Sequence, residues 1–377
     1  MPSYADDGRI VMTLDAGGTS FRFSAIRGNR RVTDVFVTPS NGDDLTRCLA
    51  SIAEGFARIR RQCPEGPVAI GFAFPGPADY PTGVIGDLPN LPAFRGGVAL
   101  GAMLEQEFGI PVFINNDGNL FAYGEAIAGF LPYVNGLLAK AGSGRRFKTI
   151  FGVTLGTGFG GGIAFDGKLH LGDNSLAGEV WLLRNKLRPQ TNAEAGACIG
   201  AVRRVYAETA GVPVEESPDP KAIFEIGMGK RAGDRAAAIE AFRQLGEVAG
   251  DAIAQASTLI DGLVVMGGGV SGSWPLFLPA LVNEMNGRYV GPAGNRFRRL
   301  AAVVFNLEDP TQRAKFLGGE PREIVVPGTG RRIRYDSMQR IGVGLSRLGT
   351  SEAIGIGAYT FALEELDRSL VSAPEGR

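Results

Sequence analysis

The chain has 377 residues, 44% of them hydrophobic, which is long for one domain and enough for two packed cores. Its 39 Lys plus Arg balance 39 Asp plus Glu. No net field therefore draws it to nucleic acid or to an anionic membrane, and any phosphate it binds is held locally. Three cysteines without C-x-x-C spacing and a lone histidine, His170, argue against a disulfide framework, a histidine-rich metal site and Ser-His-Asp catalysis. Every apolar run is broken by glycine or charge well short of the ~18 residues of a membrane span. Unpaired thiols, and an N-terminus that passes from polar residues straight into a strand, read as a cytoplasmic protein.

Residues 10–14 and 21–26 read as strands flanking the glycine turn Asp15-Ala16-Gly17-Gly18-Thr19, with a third strand over 31–37. Helical spacing of Leu45, Leu49, Ile52, Phe56 and Ile59 predicts a helix over 45–61. A buried strand at 68–74 follows and ends in Pro75-Gly76-Pro77. A helix over 98–108 leads to a strand at 112–114, whose carboxyl end carries Asn115-Asn116-Asp117-Gly118, and helix resumes over 120–128. The second half repeats the plan: a strand at 149–155, a second glycine turn, a strand at 160–165 and a helical region over 232–260. A strand at 263–266 then ends in Gly267-Gly268-Gly269, ahead of a helix over 275–285, a short strand at Val303-Val304 and a final amphipathic helix over 352–366. Residues 141–148 read as an exposed basic loop, and 306–349 as a polar insertion with a small hairpin over 322–334. Strands alternating with helices in two comparable halves imply an α/β protein with two sheets and a ligand between them. The domains fall at 1–125 plus 352–377, and at 126–351.

Strand, glycine turn and strand form a hairpin whose amides can close on phosphate oxygens, because glycine permits close approach. The second turn, Thr154-Leu155-Gly156-Thr157-Gly158, offers amides and hydroxyls but no side-chain cation. No G-x-x-x-x-G-K-[ST] sequence is present, and each turn leads into a strand rather than a helix, which excludes a P-loop and a dinucleotide fingerprint. Asp15 is either a magnesium ligand acting through water or a turn former bonded to its own backbone. Asp117 is the candidate base that takes a substrate hydroxyl proton during phosphoryl transfer; alternatively, Asn115, Asn116 and Gly118 are ordinary turn residues that cap the next helix. Gly267, Gly268 and Gly269 either admit an adenine or ribose or serve tight strand-to-helix packing.

In this order and spacing the motifs resemble the ROK family of bacterial sugar kinases, within the superfamily of sugar kinases, actin and the heat-shock chaperones. The resemblance spans nearly the whole chain. Asp15 to Thr19 is similar to the first phosphate motif, including Gly17 and Gly18. Gly71-Phe-Ala-Phe-Pro-Gly76-Pro77 is similar to G-x-x-x-P-G-P, Pro89-Asn90-Leu91 to the P-N-L sugar loop, and Asn116-Asp117 to the catalytic pair. Leu155 to Gly162 resembles the second phosphate motif, Ala177-Gly178-Glu179 the start of the sugar-binding signature, and Gly267 to Gly269 the adenosine motif.

The resemblance implies two ribonuclease-H-like, actin-like domains with an interdomain cleft, a homodimer, and transfer of the γ-phosphoryl group of ATP, with Mg²⁺, to a hexose hydroxyl. That hydroxyl is usually the one on carbon 6 of glucose or a related hexose or amino sugar. Asp117 is then the base, and Gly76, Asn90, Asn116, Asp117 and Glu179 bind sugar. Asp15, Gly17, Gly18, Thr19, Thr154, Gly156, Thr157, Gly158 and the 267–269 glycines bind nucleotide. A catalytically idle sugar sensor, and a kinase for another polyol or an N-acyl sugar, are the alternative readings. The family signature departs here in three respects: Leu182 stands at its histidine, only Cys198 remains of its three cysteines, and Gly200 replaces a sugar-binding glutamate. No zinc is expected. Trp181 either stacks on a sugar face or fills the volume the metal leaves.

Overall fold

A computed structural model describes residues 4–17, 19–88 and 91–372. In chain order the first elements are β1 (Val11–Ala16), β2 (Ser20–Arg27), β3 (Arg30–Arg31), β4 (Phe36–Pro39), α1 (Leu45–Arg61) and β5 (Ala69–Ala73). There follow β6 (Ala78–Asp79), β7 (Val84–Ile85), β8 (Val98–Ala99), α2 (Leu100–Phe108), β9 (Val112–Asn115) and α3 (Asp117–Ile127). Next come α4 (Phe130–Lys140), β10 (Thr149–Leu155), β11 (Phe159–Phe165), β12 (Lys168–His170), α5 (Ile199–Ala210), α6 (Pro220–Gly227) and α7 (Arg235–Ile260). The chain continues through β13 (Leu263–Gly267), α8 (Trp274–Met285), β14 (Arg288–Val290), β15 (Arg296–Arg298), β16 (Val303–Asn306) and α9 (Pro310–Gly318). It finishes with β17 (Pro321–Val325), β18 (Arg332–Asp336), β19 (Arg340–Leu345) and α10 (Thr350–Ser372). The chain packs as two units: Met1–Gly129, Gly162–Ala177 and Leu348–Arg377 form the first, Phe130–Gly161 and Gly178–Arg347 the second.

In the first unit the strand order is β3-β2-β1-β5-β9, with β4 also on β2. β1 and β2 are antiparallel, whereas β1, β5 and β9 run parallel. The expected third strand over 31–37 is two short ones. Pairing of β3 with the end of β2 (Ile26 opposite Arg31) and of β4 with its start (Phe23 opposite Phe36) differs in register by two residues, so the chain bulges between them. The Thr33 hydroxyl accepts the Ala25 N–H (2.9 Å) and replaces the lost ladder bond.

One sheet face is covered by α1 and α2. Asp44 caps α1 by accepting the Arg47 N–H (3.1 Å), and Ile52, Phe56 and Ile59 pack on Phe21, Phe23, Phe72 and Phe74. The other face takes α10, whose Tyr359, Ala362 and Leu363 bury Val11, Ile26 and Ala69. Helices α3 and α10 cross at backbone contact: a Cβ on Gly124 would lie 1.9 Å from the Ala353 carbonyl, and one on Gly357 2.0 Å from that of Leu120.

The second six-stranded sheet runs β12-β11-β10-β13-β19-β16. Strands β10, β13, β19 and β16 are parallel. Residues 306–349 are therefore more than a polar insertion, since β19 is an interior strand of the sheet with Ile341 and Val343 buried. Its sequence hides this because glycines alternate with the apolar residues. A Cβ on Gly342 would meet Leu307 Cδ1 at 2.7 Å, and one on Gly344 the Phe130 ring at 2.6 Å. The expected hairpin over 322–334 is present as β17 and β18. Helices α4, α5 and α6 and the β14–β15 hairpin escape the sequence reading. Arg299, buried beside α7 and α8, pairs with both Asp251 and Glu284.

Among the described residues no helix is long and apolar enough to cross a membrane. Cys48, Cys63 and Cys198 are free thiols, and burial pushes Cys48 up to about 11.

Candidate functional site

In the first unit three parallel strands end in register, with Asp15 beside Ala73 and Ala73 beside Asn115. One sheet edge thus gathers Asp15, the turn containing Gly76, and Asn116-Asp117, at the carboxyl ends where α/β proteins place ligands. Asn116 is the N-cap of α3 and accepts the Gly118 N–H (2.8 Å), so the helix starts at Asp117, three residues earlier than expected. Asp117 Oδ1 accepts the same N–H at 2.9 Å, and the residue is exposed. Capping and exposure coexist, because Asn116 provides the cap and Asp117 stands in the first turn, where the helix dipole favours a carboxylate. Below them, buried Asn115 accepts from the Asn116 N–H (2.8 Å) and from Asn119 Nδ2 (3.1 Å) and fixes the strand-to-helix corner.

Tyr80, which no sequence signal marked, joins two motifs. Its hydroxyl donates to the Phe74 carbonyl (3.0 Å) and accepts from Asn116 Nδ2 (3.4 Å). A Cβ on Gly76 would sit 3.1 Å from that hydroxyl. Asp15 accepts from Ser351 Oγ on α10 (2.8 Å), and the first glycine turn is closed by Gly17 N–H to Ser20 C=O (3.1 Å), with the Thr19 carbonyl accepting from Ser40 N–H (3.1 Å). Beside Asp15 lies a small cavity of about 80 Å³, also lined by Thr13, Arg22, Ser24 and Glu352. Gly18 and Asn90 lie outside the described residues. Gly162, the last residue of the second glycine motif, lies in this unit against α3: a Cβ there would meet the Gly118 carbonyl at 2.4 Å.

In the second unit Thr154 at the end of β10 sits opposite Gly267 at the end of β13. The second glycine turn and the 267–269 triplet are thereby neighbours. Gly268, at φ +87°, leaves 2.2 Å between a would-be Cβ and the Leu155 carbonyl, and Val270 N–H donates to that carbonyl (3.0 Å). Tight packing therefore explains Gly268, whereas Gly269 faces open space. Gly156 N–H bonds the Gly158 carbonyl (2.9 Å), and the Gly156 carbonyl takes the Ile199 N–H at the start of α5 (2.8 Å). Phe159 N–H donates to Glu194 Oε2 (3.0 Å), a residue the sequence reading did not single out.

Glu179 precedes a short 3-10 turn over Val180–Leu182, and Trp181 Nε1 donates to its carboxylate. Neither sequence reading of Trp181 included that bond. Leu182, at the family's histidine position, is exposed, and a Cβ on Gly200 would lie 3.7 Å from Cys198 Sγ. No group of three or more His, Cys, Asp or Glu among the described residues is arranged to hold a metal. His170 is exposed on β12, edge-on to Phe165 at 5.3 Å between centroids.

The α/β architecture of mixed sheets matches that of sugar-kinase structures. The structure is similar to a crystal structure of glucokinase from Parabacteroides distasonis ATCC 8503, with TM-score 0.85, 54% identity, and 96% of this chain and 99% of that chain covered. Residues 11–306 match the ROK family model, and the chain belongs to the ROK family. Among curated proteins it is 33% identical over 167 residues to an N-acetylgalactosamine kinase from Shewanella sp. (strain ANA-3), covering 44% of this chain and 48% of that protein. It is 26% identical over 315 residues to a glucokinase from Streptomyces coelicolor, covering 78% and 92%. The matches to N-acetyl amino sugar kinases span only about half the length of those relatives.

Proposed function

We propose that this chain is an ATP-dependent hexose kinase that phosphorylates the 6-hydroxyl of glucose or a closely related hexose, with Asp117 as general base. The observation that carries the reading is the exposed Asp117 carboxylate at the first turn of α3, on the same sheet edge as Asp15 and held in place by Asn116 and Asn115. Glucose is favoured over an N-acyl sugar because similarity to a glucokinase runs at 54% identity over 99% of that chain, whereas that to the N-acetyl amino sugar kinases stops near half.

In the reaction the Asp117 carboxylate takes the proton of the sugar hydroxyl as that oxygen forms a bond to the γ-phosphorus of ATP and the bond to the ADP oxygen breaks. Asn116 and Glu179, both half-buried, pair with sugar hydroxyls, so an analogue lacking them leaves these partners unsatisfied. Thr154, Thr157 and the amide of Gly158 receive the phosphates, while Gly269 offers open backbone to the nucleoside. Asp15, a hard oxygen donor held by Ser351 through one carboxylate oxygen, fits magnesium, which keeps its waters and takes one or two carboxylates plus phosphate oxygens. That ion would neutralise charge on the transferring phosphate. The reading extends to a homodimer in the cytoplasm, which the family resemblance supports.

A coupled assay of ADP release over glucose, mannose, fructose, N-acetylglucosamine and N-acetylgalactosamine tests this directly. Glucose should give the highest kcat/KM. Asp117→Ala should lower kcat by about 10²–10⁴, the usual contribution of a general base, with ATP binding by calorimetry little changed. No ADP with any sugar, or turnover retained in the variant, would overturn the proposal.

A further inference from the structure

We propose that Glu194 is a positioning residue that braces the second glycine turn for nucleotide phosphate, an inference that rests on the kinase reading above. Within the turn from Gly156 to Phe159 only Thr157 has a side chain able to hydrogen-bond, since Gly156 and Gly158 have none and Phe159 is an apolar ring buried in the core. Its conformation is fixed from outside by one segment, residues 194–199. At one end the Ile199 N–H donates to the Gly156 carbonyl (2.8 Å), and at the other Glu194 Oε2 accepts the Phe159 N–H (3.0 Å). Between them the turn closes on itself through Gly156 N–H to Gly158 C=O (2.9 Å). The carboxylate lies so close over the turn that a Cβ on Gly158 would meet Glu194 Oε2 at 2.6 Å.

Glu194 is itself well held. It sits in a 3-10 turn (Ala193–Gly196) capped by Asn192, whose side chain accepts the Ala195 N–H (3.1 Å), and Ala193 N–H donates to the Leu183 carbonyl (2.6 Å). Arg204 Nη2 on α5 donates to the Ala195 carbonyl. Yet the Glu194 carboxylate makes no ion pair among the described residues, and its one hydrogen bond is to the turn. A negative charge beside a phosphate cradle opposes the ligand, so charge cannot be what the position supplies. What it supplies is an acceptor that fixes the turn before the nucleotide arrives, so that less ordering is required on binding. This segment is also where the chain lacks the family's cysteine cluster, and it is tied down by the hydrogen bonds that Glu194 and Asn192 accept and Ile199 donates.

The acceptor and the charge are separable. Glu194→Ala should raise the KM for ATP about tenfold and weaken ATP binding by calorimetry to match, with the KM for sugar within about twofold of wild type. Glu194→Gln, which keeps an oxygen acceptor and removes the charge, should bind ATP as tightly as wild type or more tightly. Gly158→Ala should weaken ATP binding in the wild-type background and add little in the Glu194→Ala background, because the carboxylate it displaces is already gone. Gly158→Ala in the wild-type background and the Gln variant keep the test open should Glu194→Ala fold poorly. Tighter or unchanged ATP binding in Glu194→Ala, an equal loss for ATP and sugar, or a Gln variant as impaired as Ala would each overturn the brace. Wild type that binds no ATP removes the kinase reading and the brace together, whereas wild type that binds ATP with an unaffected Ala variant removes only the brace.

Discussion

Trp181 shows what a single side chain adds to a site whose sequence signature has decayed. The sequence offered stacking on a sugar or filling of the volume left by a metal, because an indole is first a large apolar surface. The structure adds a third role, since its N–H donates to Glu179 and orients a carboxylate whose family partners are absent. A hydrogen bond to a charged acceptor contributes roughly 1.5–3 kcal/mol. Trp181→Phe, which keeps the ring and deletes the donor, should therefore raise the KM for sugar roughly tenfold while the KM for ATP stays put. Steady-state kinetics with each substrate varied in turn decides it, and an unmoved sugar KM would reduce Trp181 to packing. Asp15, Asp117 and the glycines were legible as candidates because acidic residues and glycine turns at strand ends have a recognisable spacing. Tyr80 and Glu194 were not, because a tyrosine beyond a turn and a glutamate in a loop acquire meaning only from the backbone atoms they reach.

Among the elements, α1 was readable to the residue from its apolar stripe, whereas α4, α5 and α6 and the buried strand β19 were not. The reason is packing that local pattern does not encode, with Gly342 and Gly344 weakening the strand signal to admit Leu307 and Phe130. The same physics makes two glycine-to-alanine changes diverge in sign. At Gly124 the added Cβ would sit 1.9 Å from the Ala353 carbonyl, so α3 and α10 must separate. Gly124→Ala should cost about 3 kcal/mol, at the upper end for overpacking. Gly136, inside α4, has nothing within 4 Å of a would-be Cβ. Gly136→Ala should stabilise by roughly 0.5–1 kcal/mol, because only the backbone entropy of the unfolded chain changes. Urea denaturation of both variants checks the pair, and two shifts of the same sign would refute the helix-crossing argument.

At the level of the whole molecule, the first and last described segments meet within the first unit. Arg9 pairs with Asp7 (2.8 Å) and with Asp367 near the end of α10 (2.5 Å), and the Tyr4 hydroxyl also donates to Asp367 (2.9 Å). Hydrogen bonds from Arg9 hold the Asp7 and Asp367 carboxyls below the usual carboxylate range. A folded-state pKa below the unfolded value contributes stability above the unfolded pKa, near 4, and loses it as pH falls through the folded value. Both carboxylates are partly exposed, so the contribution is screened to about 1 kcal/mol or less. Arg9→Gln should lower Tm at pH 7 by a few degrees at most and less at pH 3, narrowing the gap between the two curves. Parallel curves of Tm against pH would show that the cluster carries no acid sensitivity. Two-fold α/β organisation was visible in the repeated strand, turn and strand plan. That residues 162–177 pack with the first unit was not, because nothing in a short hairpin states which core it joins.

The α10 cover has a consequence for how the protein is made. Val11, Ile26 and Ala69 find their shelter in Tyr359, Ala362 and Leu363, so the first sheet leaves the ribosome with one face bare. At about 5–20 residues per second the missing helix arrives tens of seconds later, after the second unit has been synthesised in full. The earliest strands to emerge are thus among the last to be enclosed, and through that interval their apolar face is open to whatever chaperone or aggregate reaches it first.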